Sequence, residues 1–61
     1  MNGEKSMEYD LKAMDSQIGA IEEGARRLKE LGSGIEAVER NADAVLAFVY
    51  ILKTNVSDVM D

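Results

Sequence analysis

The side chains of this chain that could do chemistry are carboxylates. Glu36, Glu39 and Asp43 follow one another at spacings of three and four residues, which places them on one side of a helix. Paired carboxylates perform general acid–base catalysis when an apolar pocket shifts the pKa of one of them. The sequence supplies no such pocket around these three residues. We therefore interpret them as a solvated helix face.

Nucleophilic catalysis and metal binding lack their usual residues. The 61 residues contain no histidine and no cysteine, which removes the common catalytic base, the thiol nucleophile and the usual zinc ligands. The serines fall at predicted helix ends or on exposed faces: Ser6, Ser16, Ser33 and Ser57. No acidic residue falls on the apolar stripes described below, as a carboxylate metal site inside a helical bundle would require. We predict a protein that is not an enzyme, with no catalytic residue, no metal and no cofactor.

Basic residues cluster at Arg26, Arg27 and Lys29. Acidic residues flank this cluster: Glu22, Glu23 and Glu30. The chain carries 12 acidic and 7 basic residues, a net charge of -5, whereas nucleic-acid-binding proteins usually present a basic face. We expect the basic cluster to pair with the neighbouring acids. The alternative is a nucleic-acid-associated regulator that uses this cluster on helix 1.

Two helices are predicted, because apolar residues recur with a helical period in each half of the chain. In the first half they step by four and three through Met7, Leu11, Met14, Ile18, Ile21, Ala25 and Leu28. In the second half they step in the same way through Ile35, Val38, Ala42, Val45, Val49, Leu52, Val56 and Val59. From these stripes we predict a hairpin core of Leu11, Met14, Ile18, Ile21, Leu28, Ile35, Val38, Val45, Val49 and Leu52.

The two stripes are out of phase, and the sequence Gly32-Ser33-Gly34 marks the break between them. Glycine after the last helical residue commonly ends a helix, because it adopts the left-handed conformation without steric cost. Ser33 followed by Glu36 matches a capping box. A link this short joins antiparallel neighbours. We therefore predict a single all-α domain over 1–61, an antiparallel two-helix hairpin. Helix 1 is expected at about 6–31, the turn at 32–34 and helix 2 at about 35–58. The apolar stripe also allows helix 2 to continue beyond residue 58.

Nine uncharged residues run from Ala44 to Leu52 and leave that part of helix 2 without a polar face. With Val45, Val49 and Leu52 assigned to the hairpin core, the large residues left outside are Leu46, Phe48, Tyr50 and Ile51. A chain of this size without disulfides or a metal gains stability most readily by oligomerisation. We predict that these four residues form an interface with a second hairpin in a four-helix bundle, a dimer or a tetramer. The alternative occupant is an amphipathic helix of another protein.

A line of small or neutral residues lies beside the stripe of helix 1: Ala13, Gln17, Ala20 and Gly24. We expect these residues to reduce bulk where helix 2 packs. Gly19 and Gly24 lower helix propensity, so close contact with a neighbour or local flexibility stays open as an alternative.

Membrane association is not expected. A membrane span needs about 20 apolar residues, and the run here is far shorter. Helices that lie on a membrane surface carry basic polar faces, and these are acidic. The first six residues lack the apolar segment of a signal peptide, so we expect a cytoplasmic protein. The predicted function is a small protein–protein interaction module, adaptor, chaperone-like or regulatory, acting as a homo-oligomer; a further alternative is one subunit of an obligate hetero-complex.

Overall fold

The computed structural model of the chain describes residues 11–60, which form two α-helices joined by a short turn. Helix α1 spans Leu11–Leu31 and helix α2 spans Glu36–Met60. The two helices pack against each other, so the predicted all-α hairpin is confirmed. The predicted start of helix 1 at residues 6–10, including Met7, lies outside the described residues. Helix α2 continues past the expected end at about residue 58, as the apolar stripe through Val59 allows.

The turn requires glycine at two positions, for different reasons. Gly34 has a φ of +99°, in the left-handed region that side-chain-bearing residues avoid. The sequence predicts the left-handed conformation at Gly32 instead. In the structure Gly32 closes the end of α1, because its backbone N–H donates to the Leu28 carbonyl oxygen at 2.8 Å. Gly32 is buried, and a Cβ there would collide with the side chain of Val38. The turn can therefore bring the start of α2 close to the end of α1.

The cap of α2 differs from the predicted capping box. The carboxylate of Glu39 reaches back to the turn and accepts a hydrogen bond from the backbone N–H of Gly34 at 3.0 Å. Glu36, the expected partner of Ser33, is the first helical residue and lies 3.8 Å from Arg40 instead. Because α2 begins only at Glu36, Ser33 stands too far before the helix to occupy the N-cap position.

The buried core is a single line of residues where the helices touch. It consists of Ile18 and Ala25 on α1 and of Ala42, Val49 and Val56 on α2, each between 3% and 8% exposed. On each helix these residues are seven apart. Leu11 packs against the cluster at its open end. The hairpin interior is thus narrow, and two of its five residues are alanines.

This core is narrower than the ten-residue prediction. Of those ten residues, the structure buries Ile18 and Val49 and half-buries Leu11 and Val38. The other six remain between 39% and 58% exposed: Met14, Ile21, Leu28, Ile35, Val45 and Leu52. The physical reason is that two helices share one line of contact. Residues three or four positions from that line lie beside it, and only a further layer of structure could cover them.

Candidate functional site

One side of the hairpin is open and apolar. It carries seven side chains that lie three or four residues from the buried line: Met14, Ile21 and Leu28 on α1, and Val38, Val45, Leu52 and Val59 on α2. We call these seven residues the apolar face. Val38 is half-buried, and the other six are between 39% and 66% exposed. Each helix therefore presents a row of half-covered apolar side chains, one every two turns.

Two shallow grooves follow the apolar face and show that both rows lie on the same side of the hairpin. The groove far from the turn has a volume of about 590 Å³, and its lining includes Met14, Leu52 and Val59. The groove near the turn has a volume of about 280 Å³. Its lining includes Leu28, Val38 and Val45. Side chains from α1 and α2 thus meet in both grooves.

The apolar face is bordered by an outer edge on each helix. The outer edge of α1 consists of Gln17, Gly24 and Leu31, and that of α2 consists of Asn41, Phe48 and Asn55. Each of these residues lies three positions after one member of the face, which makes them neighbours on the helix surface. Gln17, Asn41 and Asn55 line the two grooves. Leu31 and Phe48 are 76% and 67% exposed, so the apolar surface extends onto both edges.

The opposite side of the hairpin is closed by ion pairs between the helices. Lys53 Nζ lies 2.7 Å from Glu22, and Lys29 Nζ lies 2.8 Å from Asp43. Arg26 also contacts Glu22, at 2.8 Å, as the sequence predicts for residues four apart. The inter-helix pairs could not be read from the sequence, because they depend on how the two helices are aligned. We call this the ion-paired side.

The ion-paired side lowers the pKa of one carboxyl group. Lys53, and then Arg26, donate hydrogen bonds to Glu22 and hold its pKa below the ordinary value of 4.5. A lowered pKa in the folded state stabilises the fold above the unfolded pKa, and this contribution disappears as the pH falls through the folded pKa. Acidification below about pH 4.5 should therefore weaken the hairpin through Glu22.

We expect Glu22→Gln to lower the melting temperature at pH 7. Between about pH 5 and pH 3, the range in which carboxylates titrate, the melting temperature of the variant should decrease less than that of the wild type. Thermal melts followed by circular dichroism at several pH values measure this. Glu23→Gln is the matched control, because Glu23 forms no ion pair within residues 11–60. A Glu22→Gln profile that parallels the wild-type profile would show that the pair with Lys53 contributes nothing.

The carboxylates considered for chemistry do not converge. Glu39 caps the turn, Asp43 pairs with Lys29, and Glu36 faces Arg40. Within the described part of the chain, no group of three or more potential metal ligands comes together. Two of the three clustered basic residues are engaged with carboxylates as well: Arg26 with Glu22 and Lys29 with Asp43. Neither described helix combines the length and apolarity needed to cross a membrane.

The four residues predicted for an interface do not share one surface. Leu46 and Tyr50 line a small cavity on the ion-paired side. Phe48 lies on the outer edge of α2, next to the apolar face. Ile51 is 49% exposed and lies further round the same helix. Consecutive helical residues are rotated by about 100°, so four residues within six positions spread around the helix.

The line of small residues on α1 does not make room for α2, so that expectation is wrong. All four of its members are exposed: Ala13, Gln17, Ala20 and Gly24. A Cβ at Gly24 would meet nothing within 4 Å, and the same holds at Gly19. Packing inside the hairpin therefore does not explain why glycine occupies these two positions.

The geometry leaves the apolar face, with its two edges, as the candidate functional site. It is a row of exposed apolar side chains of the kind that marks interaction sites. Comparisons with protein-family models, with curated proteins and with solved structures found no match.

Proposed function

We propose that this chain is a non-enzymatic protein–protein interaction module, adaptor, chaperone-like or regulatory, built as a four-helix bundle of two hairpins packed through their apolar faces. The observation that carries the proposal is the apolar face itself. Its seven apolar side chains form one row on each helix, with a spacing of seven residues along the row, and all of them remain at least partly exposed. A row with this spacing is typical of the centre of a helical bundle.

The face has the area that a dimer needs. It extends over about 30 Å along the helices, at 1.5 Å per residue, and is about 20 Å wide, the width of two helices. Pairing two such faces covers on the order of 600 Å² per hairpin, and on the order of 1,200 Å² in total, which reaches the lower end of stable specific interfaces. The exposed outer edges add to this area.

The narrow core explains why a second hairpin is needed. Among the described residues five hydrophobic side chains are buried, and two of them belong to alanines, so the interior of one hairpin contributes little hydrophobic stabilisation. Covering the apolar face would add about 1 kcal/mol for each half-exposed large side chain. Chains of this size are marginally stable without such help.

A second copy of the chain suits this face in its charge as well as its shape. Two molecules with a net charge of -5 repel each other wherever charged surfaces meet. The apolar face contains no charged residue, and the ion-paired side lies behind it. Two-fold pairing also places the same seven residues on both partners, as an isologous interface requires. Outside such a dimer, Tyr50 and Ile51 remain available to a partner protein.

Sedimentation equilibrium of the full chain tests the proposal. We expect a species of twice the 6.7 kDa chain mass at micromolar concentration, with reversible dissociation on dilution. A mass four times that of the chain would indicate that the same face closes a tetramer. A folded monomer up to several hundred micromolar would overturn self-association and direct the search to a helix of another protein.

A further inference from the structure

We propose that the two hairpins of the dimer pack with their turns at the same end, so that Phe48 of each copy sits on Gly24 of the other. This inference rests on the proposed function and specifies the geometry of its interface. It follows from the levels of residues along the hairpin and from the sizes of the residues on the two outer edges.

The ion pairs fix which residues of α1 and α2 lie at the same height. Glu22 lies level with Lys53, and Lys29 lies level with Asp43. Phe48 is midway between Asp43 and Lys53 along α2. Its level on α1 is therefore midway between residues 22 and 29, within about one helical turn of Gly24.

Two face-to-face arrangements have two-fold symmetry. With the axis parallel to the helices, the turns lie at the same end, and α1 of one copy packs beside α2 of the other without any change of height. With the axis across the helices, the turns lie at opposite ends, and α1 packs beside α1 while α2 packs beside α2. All neighbouring helices are antiparallel in both arrangements, so helix dipoles do not distinguish them.

The sizes of the edge residues favour turns at the same end. In that arrangement the outer edge of α1 faces the outer edge of the partner's α2. Phe48, the bulkiest side chain of the edges, then meets Gly24, which has no side chain. Phe48 is 67% exposed, and the space next to Gly24 is empty. With turns at opposite ends, two phenylalanines would meet on one edge and two glycines on the other. The bundle would then be wide on one edge and hollow on the other, whereas bundle helices keep spacings of 8–10 Å, on the order of one helix diameter.

The polar edge residues fit this arrangement, and they fit turns at opposite ends equally well, where Asn41 would lie opposite Asn55 of the other copy. Gln17 lies five residues before Glu22, and Asn55 lies two residues after Lys53. Their heights therefore differ by less than one helical turn, about 5 Å, which an extended glutamine side chain can bridge. Across the interface the two amides can donate to and accept from each other, so neither is left without a partner when water is excluded.

The pair of open glycines provides a matched experiment. We expect Gly24→Leu to raise the dimer dissociation constant by roughly 100-fold or more. The leucine side chain would occupy the space that Phe48 of the partner fills, and this happens at both of the equivalent contacts in the dimer. Gly19→Leu should leave the dissociation constant unchanged within about twofold, although both changes raise helix propensity equally. Gly19 also has empty space beside it, but it lies three residues before Glu22, toward the ion-paired side. Equal dissociation constants for the two variants, measured by sedimentation, would overturn the seating of Phe48 on Gly24.

A distance between the two turns tests the orientation directly. The chain has no cysteine, so Ser33→Cys carries a single spin label in the exposed turn. Pulsed dipolar spectroscopy on the dimer should give a label separation below roughly 25 Å, since neighbouring bundle helices are about 10 Å apart. A separation of roughly 40 Å, about the length of a helix, would overturn the orientation and leave the dimer standing. If no dipolar coupling is detected at the micromolar concentrations where we expect a dimer, both the orientation of the hairpins and the dimer itself are contradicted.

Discussion

Replacing Leu52 with aspartate should abolish self-association, and the same replacement at Tyr50 should leave it intact. Leu52 belongs to the apolar face and points toward the centre of the proposed bundle, although it is only 39% exposed in the hairpin. Two unpaired carboxylates per dimer would be buried there, at a cost of about 3 kcal/mol or more each. The dissociation constant should therefore rise by roughly 10⁴-fold, measured by sedimentation or by light scattering after size exclusion.

Tyr50 is the matched control for this prediction. It lies on the same helix, two residues away, and is 72% exposed on the ion-paired side. Between these two residues, exposure alone favours Tyr50 as the interface position, whereas the geometry of the hairpin favours Leu52. Dissociation caused by Tyr50→Asp, with Leu52→Asp still dimeric, would move the interface to the other side of the molecule.

The melting temperature should depend strongly on protein concentration. If a hairpin whose described core holds five buried hydrophobic residues is stable mainly as a dimer, unfolding is coupled to dissociation. A tenfold increase in concentration then favours the folded dimer by about 1.4 kcal/mol, which should raise the melting temperature by about 6 °C for a folded unit of this size. Circular dichroism melts over a hundredfold range of concentration measure the shift.

A melting temperature that does not change over this range would contradict the coupling. Leu52→Asp provides the internal comparison, because a variant that cannot dimerise should melt at a low temperature independent of concentration. A concentration-independent wild-type melt at high temperature would mean that the narrow core suffices for a stable monomer. The apolar face would then need another explanation.

Much of the fold could be predicted from the sequence, because local patterns determine it. The spacing of apolar residues by three and four predicts both helices, and the glycines at 32 and 34 predict the break. The roles of the two glycines could not be separated in advance. Gly34 has the positive φ, whereas glycine is required at position 32 because Val38 of α2 packs against it, a contact that depends on how the helix meets the turn.

The candidate site was harder to predict, because an apolar stripe does not show how wide a contact it serves. The sequence predicts that the large residues of both stripes lie inside one hairpin and that the interface consists of the apolar residues outside the stripes. In the structure, Ala25 and Ala42 lie on the contact line, and large residues such as Ile21 and Leu52 lie beside it. The sequence does contain a signal, because the residues of each stripe alternate between two heptad positions, so that every second residue of the stripe occupies the same position. Separating the two positions of each heptad would have identified the apolar face.

Thiol reactivity of Ile21→Cys tests most directly whether a second copy covers the apolar face. The chain has no other cysteine, and Ile21 lies in the middle of the α1 row, 45% exposed in a single hairpin. Ala47→Cys is the control, because Ala47 is exposed and lies away from the face. We expect the thiol at position 21 to react slowly at high protein concentration and rapidly after dilution, while the thiol at position 47 reacts rapidly at both. Equal, concentration-independent rates at the two positions would show that the apolar face stays open, in contradiction to self-association through it.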